Sequence, residues 1–292
     1  MTYLETLRLP LSTDLSGFVR LLYARGVPHR VSEEGDVQVL WVAADLVEQV
    51  RALYQRHPQG DGLIALESAP ADQPVNRAPS LLAQVNAFKV TAGVIVLCLL
   101  VAAVTGLGDN LASVGWFTFL KVQVQGEYLY FTSLAQGLAA GQWWRLVSPM
   151  LLHFGVLHLA MNSLWYWELG RRIEARQGPW VLLGLTLLFS LVSNLAQHFT
   201  SGPGVFGGLS GVLYGLLGHL WLYQRLAPSR LFELPRGVLV MMLVWLVVCL
   251  TGVVGQLGMG QIANAAHVGG LLIGCLTGLL GGAWARRKLG VA

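Results

Sequence analysis

Five polar residues stand inside otherwise apolar stretches. Ser210 and Tyr214 lie in 207-GGLSGVLYGLLGH-219, His158 and Asn162 in 153-HFGVLHLAMNSLWYWELG-170, and His267 in 263-ANAAHVGGLLIGCLTG-278. Polar side chains in membrane spans are costly and are functional candidates by default. An imidazole within hydrogen-bond reach of a serine hydroxyl makes that hydroxyl a nucleophile at neutral pH. A serine at a helix start also sits beside backbone N–H groups that lack intrahelical partners and carry partial positive charge. Aimed at a developing oxyanion, such groups stabilise it in a low-dielectric site, and His158 and Asn162 can add side-chain donors. The chemistry this points to is acyl transfer by a Ser210–His267 dyad. No aspartate is available at this depth to orient the imidazole; Tyr214, one turn below Ser210, can pack against it instead.

Each residue alone has a plainer reading. A serine before a helix is more often an N-cap. Asn162 and His158 can be helix–helix glue, and Tyr214 can be packing. It is the conjunction of Ser, two His and Asn at one depth that favours chemistry. Two other protease chemistries fail on the residues present. A zinc protease needs HExxH on a helix, and the sequence has none. The stretch 106-GLGD-109 matches an aspartyl GxGD pattern, but Asp109 is the only aspartate after Asp72, and that chemistry needs two carboxylates.

The elements that must hold these residues are membrane helices. The chain has 292 residues, 54% hydrophobic and 12% charged, against about 25% charged in soluble domains. Ten of the 15 acidic residues lie at or before Asp72, which divides a small polar region from a membrane region. The net charge of +4 sits in short basic clusters between apolar spans, a pattern of membrane orientation that gives no sign of nucleic-acid binding. Cys98, Cys249 and Cys275 fall within spans and read as small apolar residues, with no disulfide framework and no metal pair. Neither a cofactor nor a metal is expected.

Six apolar spans are predicted, at roughly 85–106, 149–170, 179–198, 210–225, 237–254 and 263–284. Arg171, Arg172 and Arg176 follow the second, Arg225, Arg230 and Arg236 separate the fourth and fifth, and Arg286, Arg287 and Lys288 end the sixth. The positive-inside rule then puts both termini in the cytoplasm; residues 1–25 also lack the apolar core of a signal peptide. All five polar residues fall in the outer half of the bilayer. The fourth span is short: Ser210 to Arg225 is 16 residues, about 24 Å of helix against a hydrocarbon core of about 30 Å. Ser210 is therefore expected below the outer surface, with 201-SGPGVFGG-208 dipping in. Gly211 and Gly215 on the fourth span, and Gly270 and Gly274 on the sixth, form small-xxx-small faces that allow close helix approach. His267 shares the latter face, so this packing would bring it to Ser210.

The expected fold is mainly α: a polytopic six-helix bundle over residues 81–292. A Pro/Gly linker over 58–80 precedes it, and a small cytoplasmic α+β (βαββα) domain occupies 1–57. In that domain Ser12 is expected to cap the first helix. The outer loop 107–148, rich in Trp, Tyr and Phe, is expected to lie in the membrane interface.

These residues together resemble the rhomboid family of intramembrane serine proteases, over about residues 85–285. The resemblance is carried by 144-WR-145, 153-HFGVLH-158 with Asn162, 201-SGP-203, 208-GLSG-211 with Tyr214, and 266-AHVGGLLIG-274. The N-terminal unit also looks like the cytoplasmic domain of bacterial members. The resemblance implies Ser210 as nucleophile and His267 as general base. It implies an oxyanion hole of His158, Asn162 and the Ser210 N–H, with Tyr214 stacked beneath His267 and Gly208 allowing the bend before the serine. It implies a mobile cap in the loop 255–262 and a bacterial inner-membrane location. Its substrates are transmembrane protein segments cut near their outer end, with membrane lipid the other partner and no role for nucleic acid or metal. The alternative is a catalytically silent rhomboid-like protein that binds membrane proteins in quality control. That reading predicts loss of the serine or the histidine, and both are present. A transporter would favour paired intramembrane charges or inverted repeats, and neither is found.

Overall fold

The computed structural model describes residues 3–60, 80–256 and 262–288. The chain divides into two compact units, Met1–Ala78 and Pro79–Ala292. The first holds strands β1 (Tyr3–Pro10), β2 (His29–Glu34) and β3 (Val37–Ala43) in the antiparallel order β1-β3-β2, with helices α1 (Ser16–Ala24) and α2 (Val47–Arg56). Apolar residues at helical spacing on α1 and α2 meet the inner face of β3, so Phe18, Leu21, Leu22, Leu40, Val42 and Val50 form its core. The helix start differs from the expectation. Ser12 caps nothing; the Asp14 carboxylate accepts the Ser16 N–H at 2.8 Å, and α1 begins there. An ionised acceptor makes the stronger bond to an orphan N–H. The linker expected over 58–80 lies mostly outside the described residues.

The second unit opens with α3 (Leu81–Ala87) and α4 (Lys89–Thr105). The aromatic stretch 107–148 has its own structure: α5 (Leu111–Phe117), a hairpin of β4 (Val122–Gln125) and β5 (Tyr128–Phe131), and α6 (Leu134–Ala139). Two 3₁₀ turns, Trp143–Leu146 and Ser148–Leu151, lead into α7 (Val156–Gln177). Then come α8 (Pro179–Ser201), α9 (Ser210–Leu226), α10 (Arg236–Leu250), the short α11 (Val253–Gln256) and α12 (Asn264–Lys288). The second span was expected from 149; its helix starts at Val156, because Pro149 heads a 3₁₀ turn and Gly155 has φ +101°.

Among the described residues, four helices are long and apolar enough to cross a membrane: Lys89–Gly108, Pro179–Ser201, Arg230–Leu250 and Asn264–Lys288. The remaining long helices differ for physical reasons. Helix α7 carries Glu168, Arg171, Arg172, Glu174 and Arg176. Helix α9 has 17 residues, 11 of them buried. A helix surrounded by protein does not need a lipid-facing apolar surface.

Glycines set the contact between α9 and α12. A Cβ at Gly270 would collide with the Gly211 carbonyl oxygen, and one at Gly274 with that of Gly215. On the other side, a Cβ at Gly218 would lie 2.8 Å from the Cys275 nitrogen. Backbone meets backbone along this seam, the geometry that small-xxx-small spacing permits. A second tie joins α4 to α7. The buried Glu174 carboxylate accepts the Val90 N–H (2.9 Å), the Thr91 N–H (2.8 Å) and the Thr91 hydroxyl (2.7 Å). Those N–H groups belong to the first turn of α4, which has no intrahelical acceptors for them and favours an anion.

Candidate active site

Ser210 is the first residue of α9, and its hydroxyl is not a cap: Leu209 is the N-cap residue and no side chain caps the helix. The hydroxyl instead meets His267 across the glycine seam, with Nε2 to Oγ 2.7 Å. His267 lies in the first turn of α12 and is buried. Its Nδ1 has no hydrogen-bond partner among the described residues. A neutral ring with its proton on Nδ1 leaves Nε2 free to accept from the serine. Tyr214 packs on the imidazole, ring centroids 5.0 Å apart at 46°, and its hydroxyl donates to the Met242 carbonyl at 3.1 Å. The tyrosine thereby fixes the face of a ring that no carboxylate orients.

His158 and Asn162 rise one turn apart from α7 toward the residue two before the serine. Gly208 has φ +115°, and a Cβ there would stand 2.6 Å from His158 Nε2 and 3.3 Å from Asn162 Nδ2. Only glycine fits, on both counts. The Phe154 N–H points at His158 Nδ1 (3.4 Å), which leaves the neutral ring's proton on Nε2, facing the site. Asn162 Nδ2 is buried and has no acceptor among the described residues. The Gly208 N–H donates to the Pro149 carbonyl at 2.9 Å, and a Cβ on Gly207 would lie 2.6 Å from Leu152 Cβ. The loop before Ser210 is therefore clamped against the turn before α7. Unused donors on Asn162, His158 and the start of α9 border one place, which suits a developing negative charge.

Every site residue named from the sequence falls in this cluster or on the seam beneath it: Ser210, His267, Tyr214, His158, Asn162, Gly208, Gly211, Gly270 and Gly274. Most of the loop 255–262 lies outside the described residues. Sequence reading missed the wall supplied by α8. Ser190, Ser193, Asn194 and Gln197 are all buried. Ser190 Oγ donates to Val147 O (2.9 Å), Asn194 Nδ2 to Leu146 O (2.9 Å), and Gln197 Oε1 accepts the Ala266 N–H (3.2 Å). Ser193 Oγ has no partner among the described residues, and a small cavity lies between Ser193, Phe206, Ser210 and Ala266. The signal was available, since these four polar residues recur at i, i+3, i+4 and i+7 along an apolar span.

Both units of the chain are similar to known proteins. The family profile described as "Rhomboid domain" matches residues 140–284, and "Rhomboid N-terminal domain" matches residues 1–68. The protein named Rhomboid protease GlpG from Serratia proteamaculans (strain 568) is 36% identical over 270 residues, 89% of this chain and 90% of its own. The protein of that name from Yersinia pestis (strain Pestoides F) is 38% identical over 186 residues, 64% of this chain and 60% of its own. That from Yersinia enterocolitica serotype O:8 is 42% identical over 161 residues, 54% and 56% of the two chains.

Proposed function

The chain belongs to the rhomboid family, as a bacterial GlpG-type member, and from that premise we propose how its residues carry out intramembrane serine proteolysis. Ser210 Oγ attacks the scissile carbonyl of a substrate's transmembrane segment. His267 Nε2 takes the hydroxyl proton and returns it to the leaving amine. His158 Nε2–H, Asn162 Nδ2–H and the Ser210 N–H hold the oxyanion, and Tyr214 keeps the imidazole in register. A water then cleaves the acyl-enzyme with His267 again as base. The 2.7 Å Ser210–His267 contact at the start of α9 carries this reading. The silent quality-control alternative has no observation in its favour.

The proposed setting is the bacterial inner membrane, with α4, α7, α8, α9, α10 and α12 as six spans and both termini cytoplasmic. Basic clusters support it: Arg171, Arg172 and Arg176 end α7, and Arg172 donates to the Glu233 carbonyl at 2.8 Å, which puts the α7 end beside the α9–α10 connection. Residues 1–57 form the cytoplasmic domain, 58–80 the linker and 81–292 the protease bundle. The test is direct. A fluorophosphonate probe is expected to label wild type but not Ser210→Ala, and only wild type should cleave a transmembrane substrate in detergent. Cleavage by folded Ser210→Ala overturns the assignment.

A further inference from the structure

The clamp on the oxyanion loop has a second side. Phe206 stands four residues before Ser210, and its ring meets Phe119 with centroids 5.9 Å apart. Phe119 is 2% exposed and also packs on His198 at the end of α8, centroids 5.1 Å apart. It lies between α5 and β4, far from the serine in sequence, and does not line the cavity beside Ser210.

The backbone that carries Phe119 is held with unusual completeness. Arg145, itself 5% exposed, donates through Nη1 to the Gly115 carbonyl (2.7 Å) and the Thr118 carbonyl (3.0 Å), and through Nε to Gln142 Oε1 (2.7 Å). Among the described residues it has no carboxylate partner, so its charge is spent on main-chain carbonyls. Ser148 Oγ donates to the Phe117 carbonyl at 2.9 Å, and the Thr118 hydroxyl spans to the Leu120 carbonyl at 2.8 Å. A ring on so fixed a backbone acts as a strut. The next two residues, Gly207 and Gly208, are pressed onto Pro149 and Leu152. The loop that delivers the Ser210 N–H is thus held between two supports.

We propose that Phe119 is a positioning residue for proteolysis: through Phe206 it holds the Gly207–Ser210 segment in register with His158 and Asn162. The inference rests on the assignment of Ser210 as nucleophile. A displacement of about 1 Å at a reacting centre can cost on the order of 100-fold. Phe119→Ala opens the support beside Phe206 while leaving the dyad and its donors untouched.

The experiment measures kcat and KM for a transmembrane substrate, the fluorophosphonate labelling rate and the melting temperature in detergent. It compares wild type, Phe119→Ala, Phe119→Val and Phe119→Leu, with Ser210→Ala as the blank. Phe119→Ala is expected to lower kcat and the labelling rate together, by about 10- to 100-fold, with KM within about twofold. Phe119→Leu, which refills most of the volume, is expected to recover at least about a third of kcat, with Phe119→Val between the two. If the alanine variant does not fold, the valine variant decides. Wild-type kcat in folded Phe119→Val, or a rise in KM with the labelling rate unchanged, overturns the proposal. Loss of the serine assignment reads differently, as activity persisting in Ser210→Ala.

Discussion

The two ends of the α9–α12 seam each hold a buried histidine against a hydroxyl. At the end where α9 begins, His267 Nε2 meets Ser210 Oγ at 2.7 Å; toward the other end His219 Nδ1 meets Thr277 Oγ1 at 3.1 Å. Both rings pack on a tyrosine, Tyr214 and Tyr223 respectively. The difference lies in what remains unsatisfied. His219 uses its second nitrogen on Gln177 Oε1 (3.1 Å), and the Thr277 hydroxyl donates to the Gly274 carbonyl (3.0 Å). Both His219 nitrogens lie within hydrogen-bond distance of a partner, and Thr277 lies within a helix whose N–H groups are bonded. At the Ser210 end His267 Nδ1, Asn162 Nδ2 and Ser193 Oγ have none among the described residues, and the hydroxyl sits where a helix begins. A satisfied His–hydroxyl pair is a clamp between helices. The same pair becomes chemistry when orphan donors surround it and a cavity opens beside it.

The contrast between the two pairs breaks most readily at His267. His267→Ala is expected to lower kcat/KM by on the order of 10⁴-fold or more, since nucleophile and base act as a unit. Fluorophosphonate labelling should fall with it. Equal labelling of His267→Ala and wild type would reduce the Ser210–His267 pair to a clamp like the Thr277–His219 pair. Next in size is Asn162→Ala. Loss of one oxyanion donor costs about 100- to 1000-fold in turnover, and the expected change is in kcat with KM preserved. Asn162 Nδ2 has no partner to lose among the described residues, so the melting temperature should hardly move. A drop in melting temperature without a drop in kcat would make it helix glue instead.

Glu174 sharpens the contrast with a group whose partners are all in place. Its carboxylate satisfies the first turn of α4. Glu174→Gln removes the charge and at least one of these bonds, at a cost of about 1.5–3 kcal/mol for a bond to a charged group. A lower melting temperature is expected, with kcat per folded molecule unchanged. Reduced kcat at full stability would mean that the α4–α7 tie reaches the site.

The dyad was legible because its parts obey short-range rules. Glycine at four-residue spacing exposes a helix backbone, and the spacing of His267 from Gly270 and Gly274 puts it on that face. From those facts alone the α9–α12 seam follows, and with it the Ser210–His267 contact. The order of strands and helices in the first unit was legible for the same reason, through period-2 and helical patterns. Glu174 was not: a glutamate near the end of a basic helix reads as solvated, and its partners lie 83 and 84 residues upstream. Phe119 sits among many aromatics, and nothing local distinguishes the one that turns inward to Phe206. Ser12 and Asp14 are both cap-forming types two residues apart; pattern alone does not choose between them, and backbone geometry does.

Thr277→Val makes the smallest change in activity and bears on the His219–Thr277 pair. Valine keeps the shape and removes the hydroxyl, so its contacts with His219 and the Gly274 carbonyl disappear, and leaving a buried histidine nitrogen without its partner costs about 1–3 kcal/mol. The His219 ring stays in place through Gln177 and the stack on Tyr223. Gly278, against which the His219 backbone lies, is untouched, so the seam keeps its spacing and the Ser210–His267 pair its 2.7 Å contact. The expected result is a lower melting temperature and a kcat/KM within about threefold of wild type, since only changes transmitted to the transition state alter rate. A tenfold loss in a folded Thr277→Val protein would show the two ends of the seam to be one mechanical unit, with His219 setting the register of His267.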